Sequence, residues 1–335
     1  MSSVSDSAAQ DRALTADEGV VTLPGTLPLH FGGSLSNVEV AWRLAGAIDA
    51  PIVAVLGGIS AGRRVFAAAP EQGWWKEVVG PGAALDANTF RILGIDFIGG
   101  SGASTGPQVG QTDFPSISAF DQAAVLSALL RHLGVQSLHA IVGASYGGMV
   151  ALAFAERFPD QVTRIVAISA ADRAHPMATA WRSVQRETVR VLAALGDGAA
   201  GLKLARALAM ATYRSPQEFA QRFSGAAIRK DGILRLPVES YLYARGQAYA
   251  DSYKPEAFVC LSESIDLHTV EPDKIRVPTT LVAVAEDQLV PLADIRSLAS
   301  RLGGPGTLVE LSSLYGHDAF LKETAALKKV FSEAL

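Results

Sequence analysis

Residues 141–149 read IVGASYGGM, and this short stretch carries the main fold signal of the chain. An apolar run breaks into small residues around one tyrosine, and apolar residues then return at helical spacing. Gly143-x-Ser145-x-Gly147 between a buried strand and a helix is the pattern of a nucleophile elbow, a sharp turn that holds a serine hydroxyl above a sheet. Glycine and serine also occur in such turns for steric reasons alone. The stretch by itself therefore leaves a catalytic turn and a purely structural turn both open.

Short apolar runs bounded by Gly and Pro alternate with longer helical patterns on both sides of this stretch. Runs that are apolar on both faces predict buried strands. They lie at 51–58, 90–97, 138–145, 162–169 and 279–286, and a further strand is predicted at 307–312. Helical patterns lie at 119–134, 147–158 and 292–302, and a last one begins at His317. Strand and helix in alternation predict an α/β fold with a mostly parallel central sheet.

The alternation also predicts how the chain is divided. Extended segments near 20–23, 27–31 and 38–44 predict an antiparallel lead-in to the sheet. From about residue 172 to about residue 273, long helical patterns follow one another without a convincing strand. We therefore expect a mobile N-terminal tail at 1–19, a core in two parts at 20–171 and 274–335, and a helical lid insertion at 172–273.

Composition narrows the class of protein. The chain has 335 residues, 49% of them hydrophobic and 19% charged, with a formal net charge of −4 and scattered Lys and Arg, which argues against a nucleic-acid partner. Cys260 is the single cysteine, so an internal disulfide is excluded and a reducing compartment is favoured. We find no signal peptide, no run of about 18 apolar residues for a membrane span and no metal-ligand spacing. We expect a cytoplasmic protein that acts on a small molecule, without membrane or metal.

A catalytic serine needs an acid and then a histidine later in the chain, each just after a strand. Among six histidines, His317 alone follows a late strand, 307–312, and begins a helix. Asp287 follows the strand 279–286, and its neighbour Glu286 could compete, although strand alternation predicts that Glu286 points the other way. Ser145, Asp287 and His317 are therefore predicted to form a catalytic triad.

Two backbone N–H groups are predicted to bind the oxyanion of the reaction. One is that of Tyr146, which directly follows the nucleophile at a helix N-terminus. The other is that of Ile59, in the glycine-containing loop LGGISAGRR after the strand at 51–56.

A run of particular motifs then becomes specific for one family. Their order is GWWKEVVGPGAALDANTFRILGIDFIGGSGASTGP, GASYGGM, VQRE, ATYRS, FAQRF, VESYL and YGHDAFL. Over about residues 25 to 334 the chain resembles the homoserine O-acyltransferase family, which are α/β-hydrolase-fold acyltransferases of methionine synthesis.

The resemblance implies a reaction and two further residues. An acyl-CoA co-substrate would acylate the serine, CoA would leave, and the homoserine hydroxyl would take the acyl group, with no bound cofactor. Arg186 of VQR would bind the carboxylate of the amino acid, and Asp318 after the histidine would bind its ammonium group. The family also implies a homodimer, for which the lid helices offer an apolar surface.

Departures from the family pattern fall near the expected acyl pocket. The loop LGGISAG at 56–62 replaces the usual His-Ala-Leu-Thr-Gly-Asp, and Tyr146 replaces a methionine. We take Gly58, Ser60, Arg63 and Arg64 as acyl-specificity candidates, because a succinyl carboxylate needs a nearby cation. Succinyl-CoA is therefore the favoured donor, although the arginines could instead meet CoA phosphates or solvent. Homoserine O-acetylation, serine O-acylation and plain ester hydrolysis stay open as alternatives.

Overall fold

The structure is a computed structural model that describes residues 14–66 and 72–335. In these residues the strands are β1 (Leu14–Thr22), β2 (Thr26–Pro28), β3 (Ser34–Ser36), β4 (Glu39–Ala47), β5 (Ile52–Leu56), β6 (Val79–Gly80), β7 (Leu85–Asp86), β8 (Arg91–Ile95), β9 (Ala140–Ala144), β10 (Ile165–Ile168), β11 (Ile228–Lys230), β12 (Ile233–Arg235), β13 (Thr279–Val284) and β14 (Gly306–Leu311). The helices are α1 (Ala119–His132), α2 (Tyr146–Arg157), α3 (Pro176–Ala194), α4 (Gly198–Tyr213), α5 (Pro216–Arg222), α6 (Pro237–Ala250), α7 (Pro255–Asp266), α8 (Leu292–Arg301) and α9 (Thr324–Ala334). Short 3₁₀ turns lie at Pro159–Gln161, Pro272–Lys274 and Gly316–Leu321.

Eight strands form the central sheet, in the order β1-β4-β8-β5-β9-β10-β13-β14. β1 and β4 pair antiparallel, as do β4 and β8, and every later pairing in the sheet is parallel. The predicted fold class, with a mostly parallel sheet and an antiparallel lead-in, is confirmed. All five residues of β9 are buried, because helices cover both faces of the sheet at its centre.

The N-terminal boundary differs from the prediction. Residues 14–19 were expected in a mobile tail, but they belong to β1, whose register with β4 runs from Leu14 opposite Ala47 to Thr22 opposite Glu39. Most side chains of β1 are exposed and polar or small, so its sequence has little strand signal, and pairing with β4 holds it. Residues 1–13 of the expected tail lie outside the described residues.

The segment between β10 and β13 contains the helices α3, α4, α5, α6 and α7. Four of these helices have proline at their first position, where a missing N–H costs nothing: Pro176, Pro216, Pro237 and Pro255. The hairpin β11–β12 also lies in this segment, where the sequence analysis predicted no strand. We call residues 172–273 the helical insertion.

The last helix begins later than predicted. His317 lies in the 3₁₀ turn Gly316–Leu321, and α9 starts only at Thr324. Gly316 has a φ of 53°, a left-handed conformation that suits glycine at this tight turn. The turn therefore separates the histidine from the final helix.

No helix among residues 14–66 and 72–335 combines the length and the apolar character that a bilayer crossing requires.

Candidate active site

The elbow holds Ser145 in a strained backbone conformation. Its φ is 56° and its ψ is −121°, which a non-glycine residue adopts only when its surroundings impose it. The Ser145 N–H donates to the Ile168 carbonyl of β10 at 2.8 Å, which ties the turn to the neighbouring strand. A Cβ on Gly143 would lie 2.2 Å from the Gly147 carbonyl oxygen, so the turn closes only because both positions lack a side chain.

The three predicted triad residues meet at the carboxyl end of the sheet. The His317 Nε2 lies 2.8 Å from the Ser145 Oγ, and the His317 Nδ1 lies 2.7 Å from the Asp287 Oδ2. Both His317 and Asp287 are buried, the Asp287 side chain completely. The geometry is that of a serine, a general base and an orienting carboxylate.

Asp287, and not Glu286, faces the histidine. The second Asp287 oxygen, Oδ1, accepts the N–H groups of Leu289 and Val290 at 2.8 and 3.0 Å, which fixes the carboxylate. Glu286 turns away and accepts from the Ser312 hydroxyl and the Ser313 N–H. This is the orientation that strand alternation predicts.

The surroundings of His317 favour its protonated form. Burial lowers the pKa of His317, but the charge of Asp287 and its hydrogen bond raise it more, so the pKa lies above its usual 6.5. The charge of Asp318 also raises the pKa of His317, whereas the charge of Arg182 lowers it.

The two predicted oxyanion donors flank the serine from different elements. Tyr146 is the first residue of α2, where a helix leaves N–H groups without an intrahelical acceptor. The Gly147 N–H donates to the Gly57 carbonyl at 2.8 Å, and this bond joins the elbow to the loop that carries Ile59. Ile59 and Ser145 both line the cavity described next.

A cavity of about 230 Å³ opens above the triad. Ser145 and His317 line its floor together with the loop after β5, and residues of α3, α4 and α7 line its other walls. Residues at the end of the sheet and residues of the helical insertion therefore form the cavity together.

The chain is similar to known proteins in sequence and in fold. A family model described as the alpha/beta hydrolase fold matches residues 51–324. The chain is 43% identical to the homoserine O-succinyltransferase of Xanthomonas campestris pv. campestris over 311 residues, which cover 92% of this chain and 82% of that protein. The chain belongs to the homoserine O-acyltransferase family.

The chain is also similar to a second relative in sequence and to a solved structure in fold. The chain is 33% identical to the serine O-succinyltransferase of Litchfieldella anticariensis, over 94% of this chain and 97% of that protein. The crystal structure of the homoserine O-acetyltransferase of Bacillus anthracis has a TM-score of 0.85 to this fold, with 17% identity, and covers 96% of this chain and 98% of that one. The predicted resemblance to the homoserine O-acyltransferase family is confirmed.

The acyl-specificity candidates Arg63 and Arg64 form ion pairs with carboxylates of the chain. Neither lines the cavity. Arg63 forms ion pairs with Asp96 at 2.5 Å and with Glu18 at 2.7 Å, and Arg64 pairs with the same Glu18 at 2.9 Å. Glu18 lies in residues 14–19 of β1, which the sequence did not predict as a strand, and its carboxylate holds both arginines.

Gly58 and Ser60, the other two acyl-specificity candidates, do line the cavity. The Ser60 hydroxyl donates to the Tyr249 hydroxyl at 2.9 Å, which connects the loop after β5 to α6. The Tyr146 side chain, by contrast, lies under the elbow. Its hydroxyl is 2.6 Å from the Ser264 Oγ and its ring packs edge-on against Phe97, so the side chain fills the core and not the acyl pocket.

Arg186 lies beside the cavity, and Arg182, one helical turn earlier on α3, lines it. The Arg186 NH1 donates to the Ser262 carbonyl at 3.0 Å and to Asp266 at 2.5 Å. Arg182 pairs with the same Asp266 at 2.6 Å. Two guanidinium groups thus share one carboxylate, which leaves a surplus positive charge at the cavity wall.

Asp318 lines the cavity next to the histidine, as predicted from the motif. Its Oδ2 accepts from the Arg214 Nε at 2.8 Å, and its side chain is mostly buried. Arg214 therefore fixes the carboxylate beside the histidine.

Among the cavity residues that the sequence analysis did not single out are Arg182, Arg206 and Ser169. Ser169 directly follows β10 and has a φ of 50°, and its buried hydroxyl has no hydrogen-bond partner among the described residues. The sequence shows a serine after a buried strand, but it does not show that the hydroxyl is buried without a partner. In the same residues, no group of three or more His, Cys, Asp or Glu has a metal-binding arrangement.

Proposed function

We propose that this chain O-acylates L-homoserine by a Ser-His-Asp ping-pong mechanism, with succinyl-CoA as the favoured donor, in cytoplasmic methionine biosynthesis. One observation carries the proposal. Ser145, His317 and Asp287 are joined by hydrogen bonds. The cavity lined by Ser145 and His317 is also lined by the guanidinium of Arg182 and the carboxylate of Asp318. Opposite charges beside a nucleophile suit an amino acid as acceptor, whereas simple ester hydrolysis needs neither.

Arg182 and Asp318 are the proposed acceptor site. The surplus positive charge at Arg182 would bind the homoserine carboxylate, and Asp318 would bind its ammonium group. Arg186, which the family motif suggested for the carboxylate, would instead position Asp266 and through it Arg182. A bound amino acid held at both ends would present its side-chain hydroxyl to His317.

In the first half-reaction, the Ser145 Oγ attacks the thioester carbonyl and its proton passes to the His317 Nε2. The N–H groups of Ile59 and Tyr146 stabilise the oxyanion that forms. The carbon–sulfur bond breaks, and the imidazolium protonates the CoA thiolate as it leaves. The acyl group is then an ester of Ser145.

In the second half-reaction, the homoserine hydroxyl loses its proton to His317 and attacks that ester. The bond to the Ser145 Oγ breaks, and the imidazolium returns the proton to the serine. Asp287 stabilises the imidazolium in both halves. Helices of the insertion would act as the lid that keeps water from the acyl-enzyme, since they wall the cavity.

The volume of the cavity limits which parts of the two substrates can enter it. About 230 Å³ is below the usual range of about 300–1,000 Å³ for drug-sized ligands, so it suits an acyl group and an amino acid but not the CoA nucleotide. Succinyl-CoA is favoured as donor because two of the similar proteins, including the one at 43% identity, are named O-succinyltransferases.

L-Serine is the second candidate acceptor. It is one methylene shorter than homoserine, and a methylene contributes only about 1–3 kcal/mol of discrimination. The similarity to the L. anticariensis serine O-succinyltransferase supports keeping serine as an alternative. Acetyl-CoA remains the alternative donor.

The test is to incubate the pure protein with acetyl-CoA or succinyl-CoA, each with L-homoserine, L-serine or no acceptor, and to measure free CoA thiol. We expect the fastest release with succinyl-CoA and homoserine. Equally fast release without acceptor would overturn the transferase proposal in favour of a hydrolase.

Ser145→Ala is the matching variant. It removes only the hydroxyl and should abolish both thiol release and acylation of the protein, seen as an added acyl mass. Full turnover by Ser145→Ala would show that the serine is not the nucleophile.

A further inference from the structure

The side chain of Tyr146 extends from the elbow into the hydrophobic core. Tyr146 is the first residue of α2, and only 1% of its surface is exposed. Its hydroxyl lies 2.6 Å from the Oγ of Ser264, a buried residue of α7, and its ring packs edge-on against Phe97 with 5.0 Å between the ring centroids. The residue whose N–H is a proposed oxyanion donor is therefore held at both its ring and its hydroxyl.

The backbone on either side of Tyr146 makes such an anchor important. Gly147 and Gly148 follow it, and glycine has more conformational freedom than any other residue. Ser145 precedes it in a strained conformation, which persists only where the surroundings impose it. The Tyr146 N–H belongs to the planar peptide group that joins Ser145 to Tyr146, so its direction follows from how these two residues are held. An anchored Tyr146 side chain therefore restricts where the N–H points.

The helix that anchors Tyr146 also holds the arginines of the proposed acceptor site. Two residues after Ser264 on α7, Asp266 pairs with both Arg182 and Arg186. Successive residues of an α-helix rise by about 1.5 Å, so Ser264 and Asp266 lie about 3 Å apart along the helix axis. The contact between Tyr146 and Ser264 thus joins the oxyanion donor directly to the helical insertion.

We propose that Tyr146 is a positioning residue, whose side-chain hydroxyl, bonded to Ser264, holds the backbone N–H of Tyr146 where it stabilises the oxyanion. This inference rests on the proposed function, because it takes that N–H as an oxyanion donor. Such a donor must lie about 2.7–3.1 Å from the place where the oxyanion forms, and a displaced donor loses part of its effect. The hydroxyl itself touches neither substrate, so it acts only through the position of the N–H.

The experiment measures kcat and KM of thiol release in the wild type, Tyr146→Phe, Ser264→Ala and the double variant. Tyr146→Phe keeps the ring and removes only the hydroxyl, and Ser264→Ala removes the same bond from the side of α7. We expect kcat to fall about 5- to 20-fold in each single variant, which is less than the loss of about 10²- to 10³-fold for removal of a donor. KM for homoserine should stay within about twofold of the wild type, because the oxyanion forms only during the reaction. The double variant should lose no more than either single variant, since both break one bond.

Thr279→Val is the matched control. The Thr279 hydroxyl is also buried, but it donates to the Val277 carbonyl at 2.8 Å, at the start of β13 and so at the opposite end of the sheet from the triad. This variant should lower the melting temperature to an extent similar to Tyr146→Phe and leave kcat unchanged. The comparison separates the loss of a buried hydrogen bond from the loss of a positioned N–H.

Three results would overturn the inference. They are a wild-type kcat in Tyr146→Phe, losses that multiply in the double variant, and a fall in kcat in Thr279→Val as large as that in Tyr146→Phe.

Hydrolysis of p-nitrophenyl acetate separates this inference from the proposed function, because that reaction needs the oxyanion donor but neither CoA nor an amino acid. If the wild type hydrolyses this ester but transfers no acyl group to homoserine, the proposed acyl transfer is wrong. The same variants, measured on the ester, then still decide the role of Tyr146, with the same expected fall in kcat.

Discussion

His317 must be neutral to accept the Ser145 proton, so its pKa sets the acidic limit of activity. Because Asp287 raises that pKa above 6.5 in spite of burial, kcat/KM should fall as the pH is lowered, with a midpoint above 6.5. A pH profile of thiol release measures this. A midpoint at or below 6.5 would contradict the assigned role of Asp287.

Asp287→Asn is the matched variant. Without the carboxylate charge, burial lowers the histidine pKa, so the midpoint of the pH profile should move down, and the rate should fall by about 10³- to 10⁴-fold.

The stability of the wild type depends on pH in the opposite direction to its activity. A raised pKa in the folded protein means that protonated His317 stabilises the fold below about pH 6.5, and this contribution is lost as the pH rises through the folded pKa. Activity therefore grows in the pH range where this contribution disappears.

Single residues also show where the sequence was insufficient. Arg182 and Arg186 lie four residues apart on one face of α3, so their spacing could not indicate which one meets the cavity. Contacts of Arg186 with Ser262 and Asp266 on α7 decide it. Such contacts depend on how two helices of the insertion pack, which no local pattern encodes.

At the level of elements, the close approach of α2 to β5 depends on Gly147. A Cβ at this position would lie 2.1 Å from the Leu56 carbonyl oxygen, so the helix would have to move. Gly147→Ala should lower the free energy of unfolding by about 1–3 kcal/mol and reduce turnover, because the shift separates Ile59 from Tyr146. Thermal melting and the thiol assay measure the two effects.

Gly58→Ala is the stability control for that variant. Gly58 lies in the loop after β5 with no atom within 4 Å of an added Cβ. Its melting temperature should stay near that of the wild type. Equal destabilisation by both substitutions would show that close packing at Gly147 is not the cause.

The buried strands and the elbow were predictable because their signals are local. β5, β8, β9, β10 and β13 are mostly buried apolar strands, and the triad order follows from which residues come after the strands of the sheet. The N-terminal part of β1, residues 14–19, was not predictable, because its stability comes from pairing with β4. Glu18, which pairs with Arg63 and Arg64, lies in this part, so these ion pairs were not predictable either.

On the scale of the whole molecule, α3 presents an apolar stripe to solvent. Met177, Val184 and Val191 are each at least half exposed, and Leu195 is 76% exposed. Their spacing of seven, seven and four residues places them on one helix face, which is typical of a helix that packs against another. We propose that the protein forms a homodimer through these helices of the insertion.

A charge in the stripe should separate the dimer. Val184→Asp together with Val191→Asp should convert the protein to monomers in size-exclusion chromatography with light scattering, since both charges would be buried at the interface. Arg190→Asp, on a different face of α3, should leave the dimer intact. A wild type that is monomeric at every concentration would refute the proposed interface.

The edge position of β14 governs how activity would be lost on warming. Ser145 is attached to β9 in the middle of the sheet, but His317 follows β14, a partly exposed strand at the sheet margin that pairs with β13. Marginal strands separate at lower free-energy cost than central ones. The imidazole would therefore leave the serine while most of the sheet is still paired. Heat inactivation of this kind would precede melting and would reverse on cooling, because the central strands remain as a template for the returning edge.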